Sequence, residues 1–181
     1  MTPERRIAIE TGHGDKGDRW DPGACDEEEG CEADWTADLG AALRRALEAR
    51  GWSVLLVTSG SLSRRAAQVD AYGPAVSLHL HGDTGRPGLY YFPGSTAGAS
   101  YAMSICQALA WTGLDAGGPS WRWLPAALDT VPRAHALLGR EQCPSVLLEL
   151  ANQTDGPDVR WLRAHLDDVA RSIAEGVTSG P

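Results

Sequence analysis

Two short stretches of the chain place histidines at the ends of apolar runs. In IAIETGHGD (7–15), an aliphatic run leads to an acid and then to His13, which lies between two glycines. In AVSLHLH (75–81), alternation along a predicted strand puts His79 and His81 on the same side. Imidazole binds metals and transfers protons near neutral pH, so these three histidines are the first candidates for a functional site.

Two carboxylates extend this set of candidates. PSVLLEL (144–150) carries Glu149 among aliphatic residues, where an ionised acid costs several kcal/mol unless it is paired. Glu32 directly precedes a stretch of helical periodicity and lies in the segment that returns from the first histidine. The acidic run DEEEG (26–30) has a simpler interpretation as a solvated loop.

The chemistry that this combination favours is that of a catalytic zinc ion. Two imidazoles and one carboxylate leave an open coordination position for water, and zinc lowers the pKa of that water from ~15.7 to ~7. A carboxylate that does not bind the metal then takes the proton and passes it to the leaving group. Glu149 suits this second role because aliphatic surroundings raise the pKa of a carboxyl group. The glycines around His13 would let the backbone turn sharply, so that the ring faces the metal.

The histidines also have simpler interpretations. A Gly-His-Gly turn such as that at His13 is, taken alone, equally compatible with a structural role. Of His79 and His81, one is expected to be a ligand and the other to support it or face the substrate. His135 follows a proline-rich loop and is a weaker candidate for lining the groove, whereas His165 lies off the buried stripe of its helix and should be solvated. The sequence contains neither a Gly-x-Ser-x-Gly nucleophile elbow nor a phosphate-binding loop.

Strands and helices alternate along the chain. Short runs rich in Val, Ile and Leu are separated by longer stretches of helical periodicity. We predict strands over 6–10, 52–58, 75–81, 89–92 and 144–150, and helices over 33–50, 61–72, 97–112 and 158–177. This order predicts an α/β fold with a central, largely parallel twisted sheet and helices on both faces. Ligands bind such sheets outside the carboxyl ends of the strands, where the candidate histidines and Glu149 fall.

Composition and charge exclude several classes of function. The 181 residues suffice for one domain, which we expect to span 1–181. The net charge of −8 and the absence of a basic stripe argue against a nucleic-acid partner. No apolar run approaches the ~20 residues of a membrane span. The N-terminus, MTPERRIAIE, does not read as a signal peptide, so we expect synthesis in the cytoplasm.

The four cysteines are too few for a disulfide scaffold. Cys25 and Cys31 flank the acidic loop, where a disulfide between them would form a staple, although the sequence alone leaves this open. Their spacing is looser than that of typical structural zinc pairs. Cys106 and Cys143 are expected to be packed and inert.

Taken together and in order, the stretches resemble the zinc-dependent N-acetylmuramoyl-L-alanine amidases, in the branch that opens with a strand and a Gly-His-Gly turn. They are IAIETGHGDKGDRWDPGA, CEADWTADLGAALRRALEARGWSVLLVT, AVSLHLHGD followed by GLYYFPG, and CPSVLLELANQTD. The resemblance implies that His13, Glu32 and His79 bind Zn²⁺ and that Glu149 is the catalytic acid. Glu10 and Thr11 depart from the Asp-Pro that usually precedes the turn in this family.

The resemblance also implies a substrate and a setting. The substrate would be peptidoglycan, cut at the amide between the lactyl group of N-acetylmuramic acid and the L-alanine of the stem peptide. A small wall amidase without an export signal resembles a phage lysis enzyme, which reaches the wall after the membrane is permeabilised. Trp121 and Trp123 in the irregular stretch 115–135, together with Tyr90 and Tyr91, are candidates for substrate contacts. Two alternatives stay open: a zinc peptidase acting within the stem peptide, and a wall-binding module without catalysis.

Overall fold

A computed structural model of the protein describes residues 5–84, 87–111 and 138–181, in which strands and helices alternate. The strands are β1 (Arg6–Asp15), β2 (Trp20–Asp21), β3 (Cys25–Asp26), β4 (Gly30–Cys31), β5 (Ser53–Ser59), β6 (Val76–Asp83), β7 (Gly88–Tyr91) and β8 (Ser145–Asn152). The helices are α1 (Glu32–Glu48), α2 (Leu62–Tyr72), α3 (Thr96–Trp111), α4 (Gly156–Ala164) and α5 (Leu166–Ser179). None of the helices in these stretches is long and apolar enough to cross a membrane.

The central sheet is mixed but mostly parallel. Its strand order is β5-β1-β6-β8-β7, in which every pair is parallel except that of β7 with β8. The short strand β2 adds an antiparallel pair at the carboxyl end of β1. Parallel strands need crossover connections, and the helices supply them. The predicted α/β fold class is therefore confirmed.

Alternation along the strands gives the two faces of the sheet different chemistry. Leucine and isoleucine side chains of the central strands pack against α1, α3 and α5 in the main core, among them Ile7, Ile9, Leu78, Leu80, Leu148 and Leu150. The alternate positions point to the other face, which α2 covers, and they include Glu10, His79, His81 and Glu149. These four polar side chains of the central strands thus lie on the same face of the sheet.

The loop between β1 and α1 is held by short strands and a disulfide. Cys25 and Cys31 are directly opposite one another in the β3–β4 pair and form a disulfide, so the staple across the acidic loop is present. The side chain of Gln153 donates a hydrogen bond to the carbonyl of Gly30 at 3.0 Å and ties this hairpin to the end of β8. Because α1 begins at the residue after Cys31, the staple fixes the approach to the helix.

The last helix differs from its prediction. In place of one helix over 158–177, α4 and α5 meet at a break centred on His165, whose φ and ψ are −121° and 18°. The backbone N–H of His165 donates to Leu162, three residues back, and its ring nitrogen Nδ1 lies 2.7 Å from the Trp161 carbonyl. The ring also stacks on Trp161. His165 is thus half-buried and engaged by its neighbours, rather than solvated as expected.

Candidate metal centre and active site

The histidine at the end of β1 lies in a sharp turn of the backbone. His13 has a φ of 58°, in the left-handed region that residues other than glycine seldom adopt, and Gly14 continues the turn with a φ of 76°. Arg65 of α2 is fully buried and donates hydrogen bonds of 2.6 Å to the carbonyl oxygens of Thr11 and His13. It also donates to the Gly60 carbonyl at 2.8 Å. A charged group inside the protein therefore fixes the turn that presents His13.

The first residue of α1 supplies the carboxylate of the site. The backbone N–H of Glu32 donates to the carbonyl of Ala24 at 2.9 Å, which joins the start of the helix to the preceding loop. The Glu32 side chain is buried, and its two oxygens lie 3.2 Å from Nε2 of His13 and 3.0 Å from Nδ1 of His81. The N–H of Gly82 donates to the same carboxylate at 2.9 Å. The structure therefore brings Glu32 and His13 together.

His81, and not His79, is the second imidazole beside Glu32. Strand β6 continues two residues past its predicted end, so His79 lies about 6.6 Å farther from the carboxyl end of the strand than His81 does. In register, His79 is beside Glu10 of β1, whereas His81 is beside Glu149 of β8. The prediction that placed His79 with the site carboxylate is wrong, and His81 occupies that place.

His79 belongs instead to a separate, buried cluster. Its Nδ1 lies 3.0 Å from a carboxylate oxygen of Glu10, and its Nε2 lies 3.4 Å from one of Glu141. The hydroxyl of Ser77 donates to Glu141, and the Arg65 guanidinium lies 3.2 Å from Glu10. The two carboxylates thus contact opposite nitrogens of one ring, whereas in the group around Glu32 two rings contact one carboxylate.

The charges of the buried cluster balance without a metal. Burial lowers the pKa of His79, but the hydrogen bonds to Glu10 and Glu141 outweigh this effect and raise the pKa to about 9. The ring is therefore a cation at neutral pH, and with Arg65 it offsets the two carboxylates. Because each carboxylate already has a cationic partner, this arrangement is that of a structural ion network.

Two glycines allow the groups around Glu32 to approach one another. A Cβ atom on Gly23 would lie 2.7 Å from the ring of His13 and 2.8 Å from a carboxylate oxygen of Glu32. A Cβ atom on Gly12 would lie 2.8 Å from Nδ1 of His81. Gly23 also has a φ of 73°, which disfavours any other residue. Gly12 and Gly23 thus allow the groups to pack closely on both sides of the cluster.

A second carboxylate orients His13 from the other side. Asp21 of β2 lies 3.0 Å from Nδ1 of His13, which leaves Nε2 directed at Glu32. The hydrogen bond with Glu32 raises the pKa of His13 against the opposing effect of burial. Burial raises the pKa of Glu32, but the hydrogen bonds from His13, His81 and Gly82 outweigh it and lower that pKa to about 2. Glu32 is therefore ionised, and both rings face it.

The donor set fits a divalent metal ion of the zinc type. One ligand atom from each of His13, Glu32 and His81 lies within 4.8 Å of the others. Two imidazoles with one carboxylate are a ligand set of catalytic zinc, and hydrogen bonds behind the ligands are the usual support. The side chains of His13 and His81 are 26% and 15% exposed, so the cluster is open on one side. An open side is what distinguishes a catalytic metal site from a structural one.

A groove of about 670 Å³ opens over the two imidazoles. Its walls include His13, His81, Lys16 and Glu149. Glu149 is half-buried between fully buried leucines of β8. The acid predicted to move the proton therefore faces the same space as the imidazoles. Another depression, of about 590 Å³, lies between α1 and the α4–α5 junction and contains none of these groups.

Five further residues from the sequence analysis do not add to the described site. Tyr90 and Tyr91 pack against buried core residues, so packing accounts for both. Trp121, Trp123 and His135 lie outside the described residues.

Sequence reasoning missed three residues that shape the site, namely Asp21, Gly23 and Arg65. Asp21 and Gly23 belong to the stretch DPGA, and an Asp-Pro-Gly sequence is a strong turn signal that would have marked a rigid segment close to His13. Arg65 carried no comparable signal, because it is one of two adjacent arginines in an amphipathic helix.

A mostly parallel α/β sheet that presents to an open groove two imidazoles, backed by a buried carboxylate, and a further carboxylate is typical of a metal-dependent hydrolase. Comparison with known protein families identifies the class more narrowly. The sequence profile of the N-acetylmuramoyl-L-alanine amidase family matches residues 7–179. The chain belongs to this family and is an amidase, so the family and enzyme class predicted from the sequence are confirmed.

Solved structures show the same fold at low sequence identity. The apo form of the amidase Ami1 from Mycobacterium abscessus has a TM-score of 0.80 and 16% identity, over 97% of both chains. The catalytic domain of the CD27L endolysin, which targets Clostridia difficile, has a TM-score of 0.77 and 18% identity, over 98% of both chains. Cwp6 from Clostridium difficile has a TM-score of 0.75 and 16% identity, and the match spans 99% of this chain but 30% of Cwp6. None of the curated proteins matches the chain in a sequence comparison.

Proposed function

We propose that the protein hydrolyses the amide between N-acetylmuramic acid and L-alanine in peptidoglycan, with a zinc ion held by His13, Glu32 and His81 and with Glu149 as the acid/base. The observation that carries this proposal is the register of β6 and β8, which puts Glu149 beside His81 at the groove. The chain thereby has, in one place, a ligand set and a carboxylate outside that set. We propose that residues 1–181 form one catalytic domain.

The residues around the ion determine the charge of the site and the orientation of its ligands. When bound, zinc supplies a Lewis acid that polarises a carbonyl group and lowers the pKa of water. A histidine ligand must be a neutral imidazole, and Glu32 is already ionised. Asp21 accepts the remaining Nδ1–H of His13 and so keeps Nε2 directed at the ion.

Glu149 moves the proton in both halves of the reaction. It first accepts a proton from the water that attacks the lactyl carbonyl carbon. As the C–N bond breaks, it donates that proton to the nitrogen of L-alanine. The products are a carboxylate on the lactyl group and a stem peptide with a free amino group. Glu149 suits this role because it lines the groove beside His81 and lies outside the group of candidate metal ligands.

The setting we propose is that of a phage lysis enzyme acting on the wall after the membrane is permeabilised. The similarity to the catalytic domain of an endolysin supports this setting. The Cys25–Cys31 disulfide supports a site of action outside the reducing cytoplasm, since disulfides persist in oxidising compartments. Addition of the purified protein to cells whose wall is shielded by an outer membrane tests the setting. We expect lysis of permeabilised cells and no lysis of intact ones, and lysis of the intact cells would contradict the proposal.

Mass spectrometry of the products released from purified peptidoglycan tests the reaction. We expect stem peptides that begin with L-alanine and glycan chains that remain whole, with release abolished by a chelator and restored by zinc. Glu149→Gln should keep its zinc and lose about 10²–10⁴-fold in rate. Glu48→Gln is the matched control, because Glu48 lies on the exposed surface of α1 and pairs only with Arg44 among the contacts described.

Other products would overturn the proposed reaction. Cuts within the stem peptide would make the protein a zinc peptidase. Binding to the wall without any release, by zinc-loaded protein, would make it a binding module. Near-normal activity of Glu149→Gln would show that another group moves the proton.

A further inference from the structure

Lys16 stands in the wall of the groove and is the only lysine of the chain. Its side chain is 16% exposed, and its ammonium nitrogen lies 3.8 Å from a carboxylate oxygen of Asp21. This distance is too long for a hydrogen bond. Within residues 5–84, 87–111 and 138–181, the ammonium group therefore donates no hydrogen bond at all.

The nearest acid cannot fully compensate this ammonium group. One oxygen of Asp21 lies 3.0 Å from His13, and the other accepts the N–H of Gly23 at 3.1 Å. An ammonium group has three donors, and burying donors without acceptors costs free energy. Burial lowers the pKa of Lys16 and the charge of Arg65 lowers it further, and together they outweigh the opposing charges of Asp21, Glu10 and Glu32. Among the residues that the structure describes, the groove thus offers this ammonium group no hydrogen-bond acceptor.

The position of the Lys16 ammonium group in the groove indicates which kind of hydrogen-bond acceptor it would bind. Lys16 and Arg19 both line the groove that contains Glu149, although the chain as a whole carries a net charge of −8. Under the proposed function, the substrate is a neutral N-acetylated sugar on one side of the scissile amide and a peptide with free carboxylates on the other. A buried ammonium group forms its strongest hydrogen bonds with a carboxylate. A neutral carboxamide of the same shape would leave most of its charge uncompensated.

We propose that Lys16 binds a carboxylate of the stem peptide, and that the enzyme therefore prefers stems with a free carboxylate near the scissile bond to stems in which it is amidated. This inference rests on the proposed function, since it names the part of that substrate which the groove selects. Lys16 is in this role a specificity-determining residue, and the chemistry at the scissile amide stays with Glu149.

Two soluble substrates that differ in one group test the inference. These are N-acetylmuramoyl-L-alanyl-D-glutamate and N-acetylmuramoyl-L-alanyl-D-isoglutamine, each with its γ-carboxyl group blocked as the methylamide, so that they differ only in the α-carboxylate. The zinc-loaded wild-type enzyme should hydrolyse the carboxylate substrate with kcat/KM about tenfold higher, mainly through KM, since a charge-assisted hydrogen bond of this size corresponds to that factor. Lys16→Met should reduce the ratio to near one by raising KM for the carboxylate substrate alone. Lys16→Arg should retain most of the preference.

Two controls separate this role from a general loss of charge or of structure. Arg44→Met removes one positive charge from the exposed surface of α1, and it should leave the ratio unchanged. The zinc content of Lys16→Met should equal that of the wild type. An equal loss of activity on both substrates would show a structural role and overturn the inference.

The wild-type enzyme alone also gives a decisive result. Equal hydrolysis of both substrates would leave the proposed function intact and remove the role of Lys16. Hydrolysis of neither substrate or of purified peptidoglycan would overturn the proposed function and this inference together.

Discussion

Two clusters of histidine and carboxylate adjoin strand β6, which supplies one histidine to each, and they use the same residue types differently. In the metal cluster (His13, Glu32 and His81), both rings face one buried carboxylate, and the two rings reach an open groove. In the buried network (Glu10, His79, Glu141 and Arg65), one ring lies between two carboxylates, and its exposure is zero. Each cluster brings three ligand-type atoms within 4.8 Å.

The difference shows which properties distinguish a metal site from a structural network. In the network, two positive and two negative groups balance, so an added cation would create an excess of buried charge. In the metal cluster, the lone pairs of two rings can turn to the same point, and water has access to it. Which ring nitrogens contact a carboxylate, and how exposed the side chains are, therefore identify a metal site better than the number of histidines and acids does.

The largest expected effect comes from removing the second imidazole of the metal cluster. His81→Ala should bind no zinc and should fall to background activity, because two protein ligands hold zinc far more weakly than three. His79→Gln should keep stoichiometric zinc, since its ring is engaged by Glu10 and Glu141 instead. Zinc per chain, measured by mass spectrometry after gel filtration, distinguishes the two clusters.

A histidine remote from both clusters provides the control for these variants. His165→Ala removes an imidazole at the α4–α5 junction and should leave the zinc content unchanged. If folded His79→Gln lost its zinc while His81→Ala kept it, the assignment of the two clusters would be reversed.

The fold could be predicted because its signals are local and periodic. Strands such as 75–81 and 144–150 are short aliphatic runs, and the helix over 33–50 has an apolar residue at every fourth position. The break at His165 could not be predicted, because it depends on how that ring contacts Trp161 after α4 has packed. The short strands around the acidic loop were missed because two-residue strands carry no periodicity.

The site could be predicted only where the neighbours of a residue in the sequence indicate its role. His13 was marked by its glycines and Glu149 by its aliphatic neighbours. The choice between His79 and His81 could not be made, because alternation puts both on one face and only the pairing with β1 and β8 shows how far the strand extends. The carboxylates that engage His79 come from distant parts of the chain, and no local pattern reveals such contacts.

The next effect in size concerns the arginine that joins the two clusters. Arg65→Met should lower the free energy of unfolding by about 3–5 kcal/mol, because it leaves the Glu10 carboxylate and several carbonyls of the His13 turn without their buried donor. Arg64→Met is the matched control, since Arg64 is exposed and should change this free energy by less than about 0.5 kcal/mol. Urea unfolding measures both, and equal effects would contradict the role of Arg65.

A smaller effect is expected from the carboxylate behind His13. Asp21→Asn should weaken zinc binding by about 10–100-fold while leaving the fold intact, because the amide still accepts a hydrogen bond but no longer carries the charge that strengthens the ligand. Competition with a chelator of known affinity measures the change. Asp18→Asn, on the exposed part of the same loop, should have little effect, and an equal loss in both variants would point to general electrostatics.

The last expected effect is a dependence of stability on pH, to which the buried network contributes through His79. The folded pKa of His79, about 9, lies above its ordinary value of 6.5, so the imidazolium contributes its full stabilisation below pH 6.5 and loses it as the pH rises through 9. Burial raises the pKa of Glu10, but the hydrogen bond from His79 and the charges of His79 and Arg65 lower it overall, so Glu10 stays ionised across this window.

Unfolding in urea at pH 6, 7.5 and 9.5, with a chelator present to remove metal linkage, measures this dependence. The stability of the wild type relative to His79→Gln should be greatest at pH 6 and should decline toward pH 9.5. A difference that stayed constant would mean that His79 is neutral in the folded protein. In that case the network would hold one uncompensated negative charge. Charge balance would then no longer distinguish the network from the metal cluster, and only burial and ring geometry would do so.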